Sequence, residues 1–290
     1  MQTPPALFDP DLLARRRERA ARIGGADFLH EAVAAEVAER LKEVNRTFRA
    51  PAIVGPRAAR WGAMLAAEGL PAARAVPDAE VLDLEEGAHD LVVHGLGLHW
   101  ANDPVGQLVQ ARRALRPDGL LVAALFGGET LHELRRALAE AEVATTGGLS
   151  PRVAPMGEVR DLGGLLQRAG FAMPVADSRR FDVTYASPVA LMRDLRAMGE
   201  TNVLHDRVRR PMPRAMLAEA VACYGARYGH EDGRVPATFD VIFLTGWAPA
   251  ETQQKPLRPG SAVARLADAL GAEERSAGER AGATMKGPGR

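Results

Sequence analysis

From Ala50 to Phe126 short apolar runs, punctuated by Gly and Pro, alternate with amphipathic segments of helical period. This alternation constrains the fold more than any other feature, because it specifies helices packed on a mostly parallel sheet. Candidate strands are residues 52–54, 73–76, 90–94 and 120–126. Between the last two lies a helical segment, Val105 to Leu115, closed by Arg116-Pro117-Asp118-Gly119. Proline cannot extend the helix and the glycine can take positive φ, so strand, helix, turn and strand read as a parallel crossover. The near-continuous apolar character of 90–94 and 120–126 requires cover on both faces and predicts adjacent buried strands.

Two helices precede this region and form an N-terminal cap over 1–48. The first starts at Phe8-Asp9-Pro10-Asp11, where Asp9 can cap and Pro10 can sit in the first turn, and it carries Arg15, Arg16, Arg17, Arg19 and Arg22. That cluster suits either a solvated helix face or a grip on a phosphate or an acidic partner. Gly24-Gly25 ends the helix, and Asp27 is placed to cap a second one whose Leu29, Val33, Val37 and Leu41 make one buried stripe. Beyond Phe126 the pattern predicts helices at 129–143 and 159–169 around a loop at 145–155. It predicts strands at 181–185 and 238–244, the latter antiparallel, and helices at 189–198 and 216–228 within a helical insertion spanning about 188–230. The α/β domain thus covers 49–250. Residues 251–290 are polar and rich in Pro, Gly and Ala, the composition of a flexible tail with at most a short helix near 262–270.

Composition excludes several functions. With 37 basic and 37 acidic residues the chain has no bulk attraction for nucleic acid or anionic lipid. Its single cysteine, Cys223, leaves no internal disulfide and no cysteine cluster for zinc or iron–sulfur chemistry; beside Tyr224 on an amphipathic helix it reads as core. No apolar run reaches the roughly 20 residues that span a bilayer, and Met1-Gln2-Thr3-Pro4-Pro5 lacks a basic segment leading into an apolar one. A cytoplasmic protein with no integral membrane segment is expected. His230-x-Asp232 has the spacing of an iron site, but it lies in a Gly-terminated turn with no distal histidine singled out, so no metal is expected.

In open parallel sheets ligands bind beyond the carboxyl ends of the strands. The richest such segment is Asp90 to Pro104, in which a strand delivers His94, two glycines turn the chain, and His99 and Trp100 follow. Its counterpart is Leu125-Phe126-Gly127-Gly128-Glu129-Thr130. These strings resemble the fourth and fifth strands of class I S-adenosylmethionine-dependent methyltransferases. More narrowly, His99 to Asp103, Leu125 to Leu131, Asp161 to Phe171, Met198 to Asn202 and Glu231 to Thr238 resemble, in order, the arginine-hydroxylase assembly factors of mitochondrial complex I and their alphaproteobacterial relatives. The resemblance runs from about Phe8 to Leu270. It implies a Rossmann-type methyltransferase fold, S-adenosylmethionine as the family cofactor, and a complex I subunit or assembly intermediate as partner.

One loop departs from that pattern. Family members hold the cofactor with an acid and a Gly-x-Gly-x-Gly turn after the first strand, whereas this chain reads Ala52-Ile53-Val54-Gly55-Pro56-Arg57-Ala58-Ala59. Aligned on Gly55, Ile53 replaces the acid, and Arg57 and Ala59 replace the later glycines. Left-handed backbone at a non-Gly residue costs roughly 1–2 kcal/mol, and Arg57 would take up ligand space, so a remodelled loop is expected. Only 35 residues separate Gly55 from Asp90 (90 − 55), where two complete helix–strand steps and a third helix need well over about 50. The sheet is therefore expected to be shortened in its first half and S-adenosylmethionine binding to be weak or absent. Cofactor contacts, where kept, fall on Gly55, Asp78, His94 and Gly95; Glu80 is the other acid near Asp78. His99 and Glu200 are the catalytic candidates, His99 as a general base or as packing over the sheet edge. Trp100, Asn102, Phe126, Glu129, Glu200 and Asn202 form the expected partner-binding set, with an aromatic anchor and a carboxylate for a partner arginine.

Overall fold

The parallel unit expected around residues 90–126 lies inside the sheet. The computed structural model describes residues 6–253. Two helices, α1 (Pro10–Arg22) and α2 (Phe28–Glu43), lead into β1 (Pro51–Val54), α3 (Ala58–Ala67), β2 (Arg74–Val76), β3 (His89–Gly95), α4 (Pro104–Ala114) and β4 (Leu115–Phe126). Then come α5 (His132–Thr146), α6 (Val159–Arg168), β5 (Ala172–Tyr185), α7 (Pro188–Met198), α8 (Arg214–Tyr228) and β6 (Val235–Trp247). The six strands run in the order β2-β1-β3-β4-β6-β5. The first four are mutually parallel, and β6 pairs antiparallel with both β4 and β5. Between β1 and β3 the described chain supplies only α3 and the three-residue β2, which gives the shortened first half that the 35-residue interval requires.

Alternation along the strands builds two cores. Ile53, Leu91, Val93, Val122, Phe239, Val241 and Phe243 face one side and pack with α2, α3, α5, α7 and α8. Ala52, Val54, Val92, Leu121, Leu125, Ile242 and Leu244 face the other and pack with α4 and α6. The stripe Leu29, Val33, Val37 and Leu41 is buried as its spacing requires, each side chain contributing about 1.5–3 kcal/mol of apolar burial. A third, small cluster of Phe8, Leu13, Trp100, Ala154, Val203 and Leu204 fastens α1 over the strand ends.

Four local expectations change. Asp27 makes no capping bond; its carboxylate instead receives Arg57 and, at 2.8 Å, Arg60, so it joins α2 to α3. The expected Pro-Asp-Gly turn lies inside β4, at its irregular start where the register with β3 shifts, and the positive φ, 64°, falls on Asp118 and not on Gly119. Asp tolerates that region better than most residues, while a Cβ on Gly119 would meet the Arg116 carbonyl at 2.9 Å. Helix α5 starts at His132, three residues late, because the Thr130 hydroxyl accepts from the Asp240 N–H at 2.9 Å and has its one proton within reach of the Gly127 (2.8 Å) and Asp240 (2.9 Å) carbonyls, which holds that segment as a turn. Strand β5 starts nine residues before the expected Phe181. The helix expected near 262–270 lies outside the described residues.

Candidate functional site

Two cavities open beyond the carboxyl ends of the parallel strands. The strand-end cavity, about 920 Å³, is lined by Gly55, Pro56, Asp78, Gly97, Trp100, Asn102 and Gln107, with Leu13, Ala14 and Arg17 of α1 above it. The helix-roofed cavity, about 590 Å³, lies between α1, the start of α5, α7 and the loop at 200–212; its walls include Trp100, Phe126, Leu134, Met192, Leu195, Phe239 and Glu200. Trp100 lines both.

In the strand-end cavity, Gly55 is required by contact as well as by its φ of 153°, since a Cβ there would lie 2.5 Å from the Gly95 carbonyl oxygen. Arg57 has a φ of −128°, so the loop is remodelled without left-handed strain. Its guanidinium does not enter the cavity but turns to Asp27 and to the Ala197 carbonyl at 3.3 Å. Asp78 follows β2, where a ribose-binding acid is expected, and it accepts from Arg17 at 2.9 Å with its side chain almost wholly buried. Glu80 lines the same cavity. His94 and Gly95 line neither cavity. The His94 Nε2–H donates to Gln107 Oε1 at 2.9 Å, and burial holds that imidazole neutral by lowering its pKa. Gly95 lies under the Trp61 ring, which a Cβ would meet at 2.7 Å.

Against S-adenosylmethionine, this cavity offers ample room and three carboxylates, Asp78, Glu80 and Asp103, of which Asp78 is already paired with Arg17. It has one glycine turn, followed by Pro56, which has no N–H to donate. The donor set fits the cofactor incompletely.

Around the helix-roofed cavity the sequence strings converge on one carboxylate. Glu200 Oε2 accepts from Trp100 Nε1 at 2.7 Å and from His99 Nε2 at 3.1 Å. Among the described residues nothing bonds Oε1. Burial raises the Glu200 pKa, but His99 and Arg17 nearby and the two donated hydrogen bonds outweigh that and hold the carboxyl below its ordinary value. The bond to Glu200 uses the His99 Nε2–H, and the other ring nitrogen, Nδ1, is buried and without a hydrogen-bond partner. His99 lines neither cavity and sits 4.8 Å, ring to ring, from Phe126, so it positions Glu200.

The partner-binding set forms cavity wall more than open face. Trp100 and Phe126 are buried. Asn102 clamps the backbone of Phe8, accepting from its N–H at 2.9 Å and donating to its carbonyl at 3.1 Å. Asn202 donates to Pro151 and accepts from Leu204. Glu129 is exposed and lines neither cavity. Of the basic rim, sequence reasoning singled out Arg16, as part of the α1 cluster, and missed Arg152, Arg196, Arg207, Arg209 and Arg210; the run Arg207-Val208-Arg209-Arg210 was the visible signal for the last three.

Comparison with known proteins agrees with this architecture. A family model for a methyltransferase domain matches residues 57–123. The arginine-hydroxylase NDUFAF5, mitochondrial, of Danio rerio is 37% identical over 286 residues, covering 90% of this chain and 89% of that protein. Its human counterpart is 35% identical, covering 89% and 81%. A malonyl-[acyl-carrier protein] O-methyltransferase of Laribacter hongkongensis is 39% identical over 183 residues, covering 63% of this chain and 59% of that enzyme. With this fold, and with that identity over nearly the whole length of both chains, the protein belongs to the arginine-hydroxylase NDUFAF5 family of methyltransferase-fold proteins.

Proposed function

We propose that the protein recognises an arginine side chain on a subunit or assembly intermediate of complex I, NADH–quinone oxidoreductase, and receives its guanidinium in the helix-roofed cavity. The observation that carries this reading is Glu200: a buried, ionised carboxylate with Oε1 unbonded, set among the aromatic walls of Trp100 and Phe126. A guanidinium pairs with such a carboxylate and stacks on such rings. The relatives' name, arginine-hydroxylase, points the same way. His99 and Trp100 fix the carboxylate, so the site is preorganised without a cofactor.

Glu200→Gln tests the reading, because the amide can still accept from Trp100 but carries no charge. In cells lacking the protein, the variant should fold yet fail to capture complex I subunits or restore the complex. Capture equal to wild type would remove Glu200 from the site and sink the reading.

A second reading, an active S-adenosylmethionine-dependent enzyme modifying that side chain, is favoured by one observation: the strand-end cavity is open and keeps Asp78 and Gly55. The pairing of Asp78 with Arg17 and the proline after Gly55 weigh against tight binding. Calorimetric titration should give a dissociation constant no better than about 1 mM, roughly −4 kcal/mol. Micromolar binding by the wild type would establish the second reading.

A further inference from the structure

The helix-roofed cavity carries a contradiction that points to its partner's chemistry. Its floor holds one carboxylate, Glu200, shared with His99. Its lining carries Arg16 of α1, Arg196 of α7, and Arg209 and Arg210 of the following loop, and among the described residues none of these four has an ion pair or a side-chain hydrogen bond. Two other lining arginines are neutralised, Arg152 by Glu142 at 2.6 Å and Arg207 by Asp9 at 3.3 Å. Four unpaired cations around an apolar cleft focus a positive potential. That potential opposes the approach of a lone arginine to Glu200.

We infer that the cavity selects an arginine flanked by acidic residues: the rim arginines bind carboxylates of the partner segment while Glu200 takes the guanidinium between them. The inference rests on the arginine reading proposed above and adds the sequence context of the target. The rim draws its cations from three elements, α1, α7 and the 200–212 loop. Arg209, Arg210 and Arg196 are exposed, so they can meet a protein segment without unfolding any part of the chain. Bidentate guanidinium–carboxylate pairing gives such a rim geometric selectivity as well as charge.

The test uses the full chain and three synthetic peptides of equal length: a central arginine with Asp and Glu neighbours, the same arginine with Asn and Gln neighbours, and the acidic peptide with citrulline in place of arginine. The expected result is that the acidic arginine peptide binds at least about tenfold more tightly than the neutral one. This preference should shrink as salt shortens the Debye length from about 10 Å at 0.1 M to about 3 Å at 1 M. The double variant Arg209→Glu/Arg210→Glu, whose side chains are exposed and whose thermal unfolding should match wild type, should lose the preference. Equal binding of the acidic and neutral arginine peptides overturns the inference and leaves the arginine reading standing. Equal binding of the arginine and citrulline peptides overturns the arginine reading, and with it the inference. Capture of anionic phospholipid vesicles in preference to every peptide also overturns the inference, since the rim would then serve a membrane surface.

Discussion

At the scale of single residues, burial decides what each titratable group can do. His30 illustrates the cost: it is buried, accepts from Trp61 Nε1 at 2.9 Å, and burial lowers its pKa to about 4. In the unfolded chain a histidine titrates near 6.5, so below that pH the unfolded state binds a proton that the folded state refuses. Stability therefore falls as pH drops from about 6.5 to about 4, by roughly 3 kcal/mol in all. Chemical denaturation across this range should show that slope, and His30→Gln, which can still accept from Trp61, should flatten it; an unchanged slope would assign the acid limb to other groups. His99 and Glu200 were legible in the sequence as members of family strings, but their contact joins residues 101 positions apart. The pairing of Arg17 with Asp78 spans 61 positions and left no local signature. Neighbouring arginines on α1, read in sequence as one basic cluster, divide by helix geometry: Arg16 faces one cavity and Arg17 the other.

At the scale of elements, legibility followed burial pattern. Strand β3 and residues 120–126 of β4 are buried on both faces and stand out from their surroundings, and helix α4 between them starts at Asp103-Pro104, while the Pro-Asp-Gly segment read as its closing turn lies in the irregular start of β4. Strand β5 hid its first nine residues, Ala172 to Arg180, because it is an edge strand with one half-wet face: Pro174, Asp177, Ser178 and Arg179 sit in it without penalty. Two substitutions probe element packing. Gly95→Ala in β3 pushes a methyl group into the Trp61 ring at 2.7 Å and should cost about 1–3 kcal/mol, read as a lower denaturation midpoint with an unchanged slope. Asp9→Ala removes the side-chain cap on the Leu12 N–H, 2.9 Å away, and the Arg207 pairing. It should lower the denaturation midpoint, and hydrogen exchange should quicken in α1 ahead of the sheet. Uniform quickening throughout would show that α1 opens only with the whole molecule.

At the scale of the whole molecule, the two cavities share a wall, and that wall is Trp100. Trp100→Ala should remove about 3–5 kcal/mol of stability and leave Glu200 without one of its two donors. If equilibrium unfolding moves by less than about 1 kcal/mol, the indole is not the packed partition described here. Among the described residues, the helix that roofs both cavities and the two residues before it are fastened by contacts distant along the chain: Phe8 to Asn102 across 94 positions, Asp9 to Arg207 across 198, Arg17 to Asp78 across 61. The pairing of β4 with β6 also joins residues more than 100 positions apart, so floor and roof alike depend on closing long loops. Because α1 borders both cavities, local opening of that one helix would uncover both chambers together while the sheet stays paired.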